Sequence, residues 1–130
     1  AVRFAGWASR SEMPVHYRNA DCFVFPSFEE GMSNAVLEAM ASGLPIITTD
    51  IYGNRDLFTS EGQGFLVPTA DADGIAAVLR RLVVEPGLRR SVGVRARMRA
   101  AEFGWQNTAA AYLDLSRMII GAGVGAKVMV

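Results

Sequence analysis

The stretch PSFEEGMSNAVLEAMASGLPIITTD (residues 26–50) contains a turn, a helical pattern and a strand pattern in succession. The helical part runs from Asn34 to Ser42, and Gly43 is suited to end it because glycine readily adopts the left-handed conformation that closes many helices. The run LPIITTD (44–50) follows, rich in the β-branched residues that favour strands. A turn, a helix and a buried strand in this order are typical of an α/β domain.

Short apolar runs and helical patterns also alternate on either side of this stretch. We predict strands at VRFAG (2–6), DCFVFPS (21–27) and GFLVP (64–68), and a short helix over 11–20 with Ser11 as its N-cap. Strands separated by helices indicate β-α-β units whose parallel sheet is buried on both faces. The predicted fold class is therefore α/β with a parallel sheet flanked by helices.

The second half of the chain is predominantly helical. Its spacing predicts helices near 73–84, 87–103 and 106–119. Asp73 is placed to cap the first of these helices, and Pro86 stands at a position favoured for opening the second.

Composition restricts the class of protein. The chain has 130 residues, of which 51% are hydrophobic and 20% charged, which excludes disorder and provides enough apolar side chains for one domain with a core. A formal net charge of +0 argues against a nucleic-acid partner. One cysteine and one histidine exclude an internal disulfide framework and a multi-histidine metal centre. The motif Asp71-Ala72-Asp73 fits a metal-binding D-x-D pattern, but we interpret it as helix capping.

Two carboxylates, Glu30 and Glu38, flank the predicted junction between strand and helix. The helix begins near Ser33, and its unpaired first amides and its dipole suit an anion such as a diphosphate. Glu38 lies one turn further, about 6 Å along the axis, where its carboxylate could accept hydrogen bonds from two ribose hydroxyls. The alternative is that Glu38 is a solvated helix residue and Glu30 only complements the helix dipole.

This region resembles a known enzyme family. The sequence EGMSNAVLE (30–38) is similar to the E-x7-E region of the large retaining glycosyltransferase family of GT-B architecture, family 4 type. Further similarity follows in the family's order at VRFAGW (2–7), YRNADCFVFPS (17–27), GNRDLF (53–58) and GQGFLVP (62–68). The resemblance covers residues 2 to 85 and implies a Rossmann-like fold, as the truncated C-terminal half of a GT-B glycosyltransferase.

The resemblance also assigns roles to individual residues. It places Glu30 beside the donor sugar and its phosphates, as a catalytic-site residue with an electrostatic or positioning role and not as an established nucleophile. It assigns the ribose hydroxyls to Glu38. Backbone amides that approach the diphosphate are those of Gly31, Met32, Ser33 and Asn34. The loop after the first predicted strand, around Trp7 and Ala8, would hold the nucleobase.

The expected protein is therefore a fragment of a larger enzyme. Residues 1–118 would form part of the donor-binding domain, and 119–130 an apolar, glycine-rich tail. The parent would transfer a sugar from a UDP- or GDP-sugar to a glycan, lipid or small-molecule acceptor. It would need no metal and no cofactor besides its nucleotide-sugar substrate. The chain alone would be nearly inactive, because the N-terminal acceptor domain and part of the phosphate site are missing. We expect a cytoplasmic parent, with the missing domain able to place it peripherally at a membrane.

A second interpretation belongs to another class of protein. The chain could be a non-catalytic α/β module that binds a nucleotide or assembles with further copies of itself. An unpaired strand at a sheet edge invites pairing with a second copy, and the apolar tail could contribute a covering strand.

Overall fold

The computed structural model describes residues 2–121. The chain divides into two compact units, one up to Ala100 and one from Ala101 onward. The first unit contains α1 (Met13–Asn19), β1 (Phe23–Phe25), α2 (Asn34–Ala41), β2 (Ile46–Thr49), α3 (Tyr52–Arg55), β3 (Phe65–Val67), α4 (Ala72–Val84) and α5 (Pro86–Ala100). The second contains a 3₁₀ turn (Ala101–Phe103) and α6 (Trp105–Gly121).

The three strands form one parallel sheet in the order β1-β2-β3. Phe23 is paired with Ile46, and Thr48 with Leu66. Every residue of the central strand β2 is buried, as expected for a parallel strand covered on both faces. The predicted α/β fold class is confirmed.

Helices enclose this sheet with apolar side chains. Ile47, Val67 and Leu82 form a buried cluster that joins the sheet to α4. Helix α2 packs against α5, and Met40 and Val92 are fully buried. Gly93 allows a close approach there, because a Cβ atom at this position would overlap the carbonyl oxygen of Gly43.

The predicted strand VRFAG (2–6) is wrong. This segment is irregular in the structure, and Val2 and Phe4 are 85% and 94% exposed. A strand is stable only when its backbone forms hydrogen bonds with a neighbouring strand. No strand among the described residues pairs with this segment, so its apolar pattern does not produce a strand.

The two predicted side-chain caps are also wrong. Helix α1 begins at Met13, after Glu12, and the Ser11 hydroxyl lies 3.0 Å from the hydroxyl of Ser9. Helix α4 begins at Ala72, so the capping position falls to Asp71, whose Oδ1 accepts a hydrogen bond from the Gly74 amide at 2.8 Å. Asp73 lies inside the first turn.

Two other predicted helix boundaries, the end of α2 at Gly43 and the start of α5 at Pro86, are confirmed. Gly43 follows α2 with a φ of +82°, and Pro86 opens α5. Helix α5 ends three residues before the predicted limit of 103, where the 3₁₀ turn begins. The sequence patterns did not predict the single-turn helix α3.

The second unit is held together by local contacts. Asn107 Nδ2 donates hydrogen bonds to the carbonyl oxygens of Ala101 and Glu102, at 3.3 and 3.0 Å. No residue of the described helix α6 is buried. Of the predicted tail 119–130, residues 119–121 belong to α6 and 122–130 lie outside the described residues. Within residues 2–121, no helix combines the length and apolar character needed to cross a membrane.

Candidate functional site

The chain leaves β1 at the carboxyl edge of the sheet, and hydroxyls on β2 hold its backbone there. Thr48 Oγ1 donates a hydrogen bond to the carbonyl oxygen of Phe25 at 2.7 Å, and Thr49 Oγ1 donates to that of Ser27. Both threonines are buried, which keeps water from competing for these carbonyl groups. The start of the loop is thereby fixed to the central strand.

Glu30 lies further along this loop and is partly buried. The Ser27 hydroxyl lies 3.1 Å from Glu30 Oε1 and 3.0 Å from the carbonyl oxygen of Glu29, and it can donate to either acceptor. A carboxylate that accepts a hydrogen bond from its own loop has a restricted orientation. The structure therefore holds Glu30 at the carboxyl end of β1, as the sequence pattern predicted.

Helix α3 supports the same loop from behind. Gly53 is buried, and a Cβ atom there would overlap the carbonyl oxygens of Glu30 and Gly31. Only a residue without a side chain allows the two segments to approach so closely. Gly53 therefore sets how near the Glu30 loop lies to α3.

Asn54 joins α3 to the central strand. Its Nδ2 donates hydrogen bonds to Thr48 Oγ1 at 2.8 Å and to the carbonyl oxygen of Thr49 at 2.9 Å. The side chain is fully buried, and its Oδ1 has no hydrogen-bond partner in the structure. Thr48 thus accepts from Asn54 while it donates to Phe25, so one chain of hydrogen bonds runs from α3 to the end of β1.

Helix α2 begins directly after the loop. Ser33 is its buried N-cap and accepts a hydrogen bond from the Val36 amide at 3.4 Å. None of the first-turn residues of α2 is acidic, so no carboxylate within that turn competes with a bound anion for the positive end of the helix dipole. The structure brings Gly31, Met32, Ser33 and Asn34 to this N-terminus, next to Glu30.

Glu38 lies on α2 and contacts a tyrosine from α1. The Tyr17 hydroxyl donates a hydrogen bond to Glu38 Oε2 at 3.3 Å, the nearer of two acceptors, since the carbonyl oxygen of Ala35 lies at 3.5 Å. The Tyr17 ring meets Phe23 edge to face at 5.7 Å. Burial, followed by the negative charge of Glu38 and this hydrogen bond, raises the pKa of Tyr17. The phenol therefore remains a hydrogen-bond donor to Glu38.

A cavity of about 250 Å³ opens beside this pair. Its lining residues are Arg10, Pro14, Tyr17, Glu38 and Ser42. The carboxylate of Glu38 and the guanidinium of Arg10 therefore border one cavity, on the side of α2 that faces α1. Trp7 is 88% exposed and, like Ala8, is not one of these residues. Of the predicted site residues, Glu38 borders this cavity, whereas Glu30 and the residues from Gly31 to Asn34 lie on the preceding loop and at the start of α2.

Sequence reasoning overlooked several residues that build this site. Tyr17 and Gly53 stand within the stretches YRNADCFVFPS and GNRDLF, which carried the resemblance, but their contacts join separate elements and leave no local pattern. Arg10 precedes α1 without any spacing signal.

Asp50 and Arg55 form an exposed ion pair at 2.6 Å, and the hydrogen bond from Arg55 lowers the pKa of Asp50.

The described residues contain no group of three or more histidine, cysteine, aspartate or glutamate side chains that could hold a metal ion. Asp71, from the D-x-D motif, uses one carboxylate oxygen to cap α4.

The parallel sheet and its flanking helices have the fold of part of a GT-B glycosyltransferase. A sequence model of the family described as glycosyl transferases group 1 matches residues 1–99, and the chain belongs to this family. The expected membership in the group 1 glycosyltransferases is thereby confirmed.

Individual relatives agree with the assignment. A D-inositol 3-phosphate glycosyltransferase of Kineococcus radiotolerans is 37% identical over 127 residues, which cover 92% of this chain and 29% of the relative. A UDP-Gal:alpha-D-GlcNAc-diphosphoundecaprenol alpha-1,3-galactosyltransferase of Escherichia coli is 42% identical over 77 residues, covering 59% of this chain and 19% of the relative.

A solved structure shows the same fold. Sucrose-phosphate synthase from Thermosynechococcus elongatus superposes with a TM-score of 0.81 at 31% sequence identity, covering 92% of this chain and 30% of that one. The chain spans less than a third of the length of these relatives.

Proposed function

We propose that this chain is the donor-binding part of a retaining glycosyltransferase of the family 4 type. The parent transfers a sugar from a UDP- or GDP-sugar to a glycan, lipid or small-molecule acceptor. The observation that carries this proposal is the placement of Glu38, one turn beyond the N-terminus of α2, with its carboxylate hydrogen-bonded to Tyr17 at the wall of a cavity.

The N-terminus of α2 suits the diphosphate of the donor. During transfer, the bond between the anomeric carbon and the diphosphate oxygen breaks, and a bond from that carbon to the acceptor oxygen forms with the same configuration. Negative charge accumulates on the departing nucleoside diphosphate. Backbone amides from Gly31 to Asn34, together with the helix dipole, would stabilise this charge without a metal ion.

Glu30 is proposed to act on the sugar side of the diphosphate. Positive charge develops at the anomeric carbon in glycosyl transfer, and a nearby carboxylate stabilises it. The hydrogen bond from Ser27 would keep the Glu30 carboxylate oriented toward that carbon. This is an electrostatic and positioning role.

Glu38 is proposed to bind the ribose. Its carboxylate can accept a hydrogen bond from each of two adjacent hydroxyls, and the bond to Tyr17 limits its rotation. Trp7 and Ala8 remain the proposed nucleobase contacts. We place the parent in the cytoplasm, with peripheral membrane contact through the part of the parent outside this chain.

Calorimetric titration with UDP and GDP tests the nucleotide site. Glu38→Gln should weaken the affinity for the preferred nucleotide about tenfold, because the negative charge is lost and one of the two acceptor oxygens becomes a donor. Glu61→Gln, which changes an exposed carboxylate outside the site, is the matched control and should leave the affinity unchanged. Equal affinities for the wild-type chain and Glu38→Gln would contradict the ribose role. The chain alone should hydrolyse UDP- and GDP-sugars only at background rates, since it spans less than a third of the length of its relatives.

Self-assembly is the second candidate function. Strand β1 is an edge strand of the described sheet and pairs only with β2, so its other side offers backbone hydrogen-bonding groups to a second copy. Light scattering coupled to gel filtration tests this candidate. A concentration-dependent dimer would support it, and a monomer at all concentrations would exclude it.

A further inference from the structure

A second cavity, of about 320 Å³, lies at the carboxyl edge of the sheet. Residues that border it include Pro26, Phe28, Thr49, Ala70, Asp71 and Ile75. It shares no lining residue with the cavity beside Glu38. The chain therefore offers a second concave surface, distinct from the cavity beside Glu38.

The position of this cavity is one where α/β proteins bind ligands. Pro26 follows β1, Thr49 ends β2, and Ala70 lies shortly after β3, so the cavity spans the carboxyl ends of all three strands. Crevices at this edge of open parallel sheets are the usual ligand positions. Its volume falls at the lower end of the range for small-molecule pockets, which suits one small ring.

The lining combines an exposed aromatic ring with a carboxylate. Phe28 is 75% exposed although it borders the cavity, and Pro26 and Ile75 add further apolar surface. Asp71 contributes a carboxylate of which Oδ1 caps α4, while carboxylates have acceptor capacity on both oxygens. A sugar ring has an apolar C–H face and a rim of hydroxyl donors, and these two features match the ring of Phe28 and the carboxylate of Asp71.

The backbone conformation next to Asp71 supports a ligand-binding role for this cavity. Ala70 is the only non-glycine residue with a positive φ, +61°, among the described residues. Side chains disfavour this conformation, and such strained residues concentrate at ligand sites. At this position the left-handed residue turns the chain from the end of β3 into α4, and both Ala70 and Asp71 border the cavity.

We propose that this cavity is a saccharide subsite, which binds a pyranose ring against Phe28 with its hydroxyls donating to Asp71. The choice of a carbohydrate follows from the glycosyltransferase family of the chain. Phe28 lies two residues before Glu30, so a sugar bound here would lie on the same loop as the proposed donor-sugar carboxylate. The subsite does not depend on the nucleotide roles of Ser33 and Glu38.

Amide NMR titrations with methyl α-D-glucopyranoside and methyl α-D-galactopyranoside test the subsite. At least one glycoside should cause saturable shifts at the amides of Thr49, Ala70 and Ala72. Cyclohexanol serves as an apolar ring with a single hydroxyl and should bind more weakly than that glycoside. The absence of saturable shifts with both glycosides would overturn the proposal, as would equal or tighter binding of cyclohexanol.

Three variants sharpen the test. Phe28→Ala removes an exposed ring and should weaken glycoside binding at least fivefold, and a dispersed amide spectrum is the criterion that this variant is folded. Asp71→Asn keeps a residue that caps helices well but removes the charge, and it should also weaken binding. Tyr112→Ala removes an exposed ring on α6 and should have no effect. Unchanged glycoside affinity in Phe28→Ala would contradict the proposal.

A UDP titration of the same samples separates the two proposals. UDP should shift the amides from Ser33 to Glu38 in both the wild-type chain and Phe28→Ala. Binding of UDP without binding of either glycoside would overturn only the saccharide subsite. Glycoside binding at Ala70 with no response to UDP or GDP would overturn only the nucleotide site.

Discussion

The hydroxyl of Tyr17 donates a hydrogen bond to Oε2 of Glu38 across 3.3 Å, and it thereby joins helix α1 to helix α2. Tyr17 is only 4% exposed, whereas Glu38 is exposed, so a buried side chain holds an exposed one. The ring of Tyr17 is fixed in turn against Phe23. The Glu38 carboxylate is therefore oriented before any ligand arrives, which reduces the entropy lost on binding.

Tyr17→Phe should weaken nucleotide binding while preserving the packing of the ring. Loss of one hydrogen bond to a carboxylate at a partly solvated position should cost about 1 kcal/mol, or roughly fivefold in affinity for UDP or GDP. Calorimetric titration measures this change. In a Glu38→Gln background, Tyr17→Phe should have a much smaller effect, because the charge that it orients is already gone. Full additivity of the two substitutions would contradict the positioning role, and Tyr112→Phe provides the control for loss of a phenol.

Gly53→Ala should displace the Glu30 loop. The added methyl group would overlap the carbonyl oxygens of Glu30 and Gly31, and both are backbone atoms that cannot rotate away. We expect the free energy of unfolding to fall by about 1–3 kcal/mol, as for other overpacked sites, together with weaker nucleotide binding. Urea denaturation and calorimetry measure the two effects.

Gly87→Ala is the matched control for this substitution. Gly87 lies in α5, and a Cβ atom there would meet nothing within 4 Å. Because alanine favours a helix over glycine, this variant should be unchanged or more stable by about 0.5–1 kcal/mol. Equal effects of the two glycine substitutions would show that Gly53 has no packing role.

Asn54→Ala should destabilise the first unit. It removes the two hydrogen bonds from Nδ2 to Thr48 and Thr49, which are buried. We expect a loss of about 2 kcal/mol in the free energy of unfolding, since each of the two buried hydrogen bonds contributes about 1 kcal/mol, while the carbonyl group of Thr49 keeps the Ile51 amide as a donor. Asn19→Ala, at an exposed position, should change stability by less than about 0.5 kcal/mol. A similar loss in both variants would contradict the network.

Cys22 should react slowly with alkylating reagents. Burial, and secondarily the negative charge of Asp21, raises the pKa of the Cys22 thiol. Because the thiolate is the reactive form, a raised pKa leaves less of it at neutral pH. The iodoacetamide reaction rate, followed against pH, should rise at a higher pH in the folded chain than in the same chain in urea. A midpoint at or below that of the unfolded chain would contradict the expectation.

Local signals explain which elements the sequence could predict. Helix α2 carries its own cap at Ser33 and its own terminator at Gly43, so its limits follow from neighbouring residues. Strand VRFAG depends on a partner, and an apolar run cannot report whether that partner is present. The capping aspartate of α4 depends on the helix starting at Ala72, a one-residue difference that spacing does not resolve.

The candidate site also contains some residues that the sequence could predict and others that it could not. The motif spacing placed Glu30 at the loop and Glu38 one turn into the helix, because both positions belong to one continuous segment. Tyr17, Gly53 and Asn54 contribute through contacts with residues elsewhere in the chain, which only the folded sheet and helices reveal. The ligand roles of Glu30, Glu38, Trp7 and Ala8 stay predictions.

The loop after β1 is anchored through its backbone, and this has an evolutionary consequence. Thr48, Thr49 and Gly53 reach the main chain of the loop from behind, whereas the side chains of Phe28 and Met32 face outward and are exposed. Replacement of these outward side chains leaves the supporting contacts intact. Under the saccharide subsite proposed above, substitutions at these outward positions would change the sugar that is preferred at almost no cost in folding free energy.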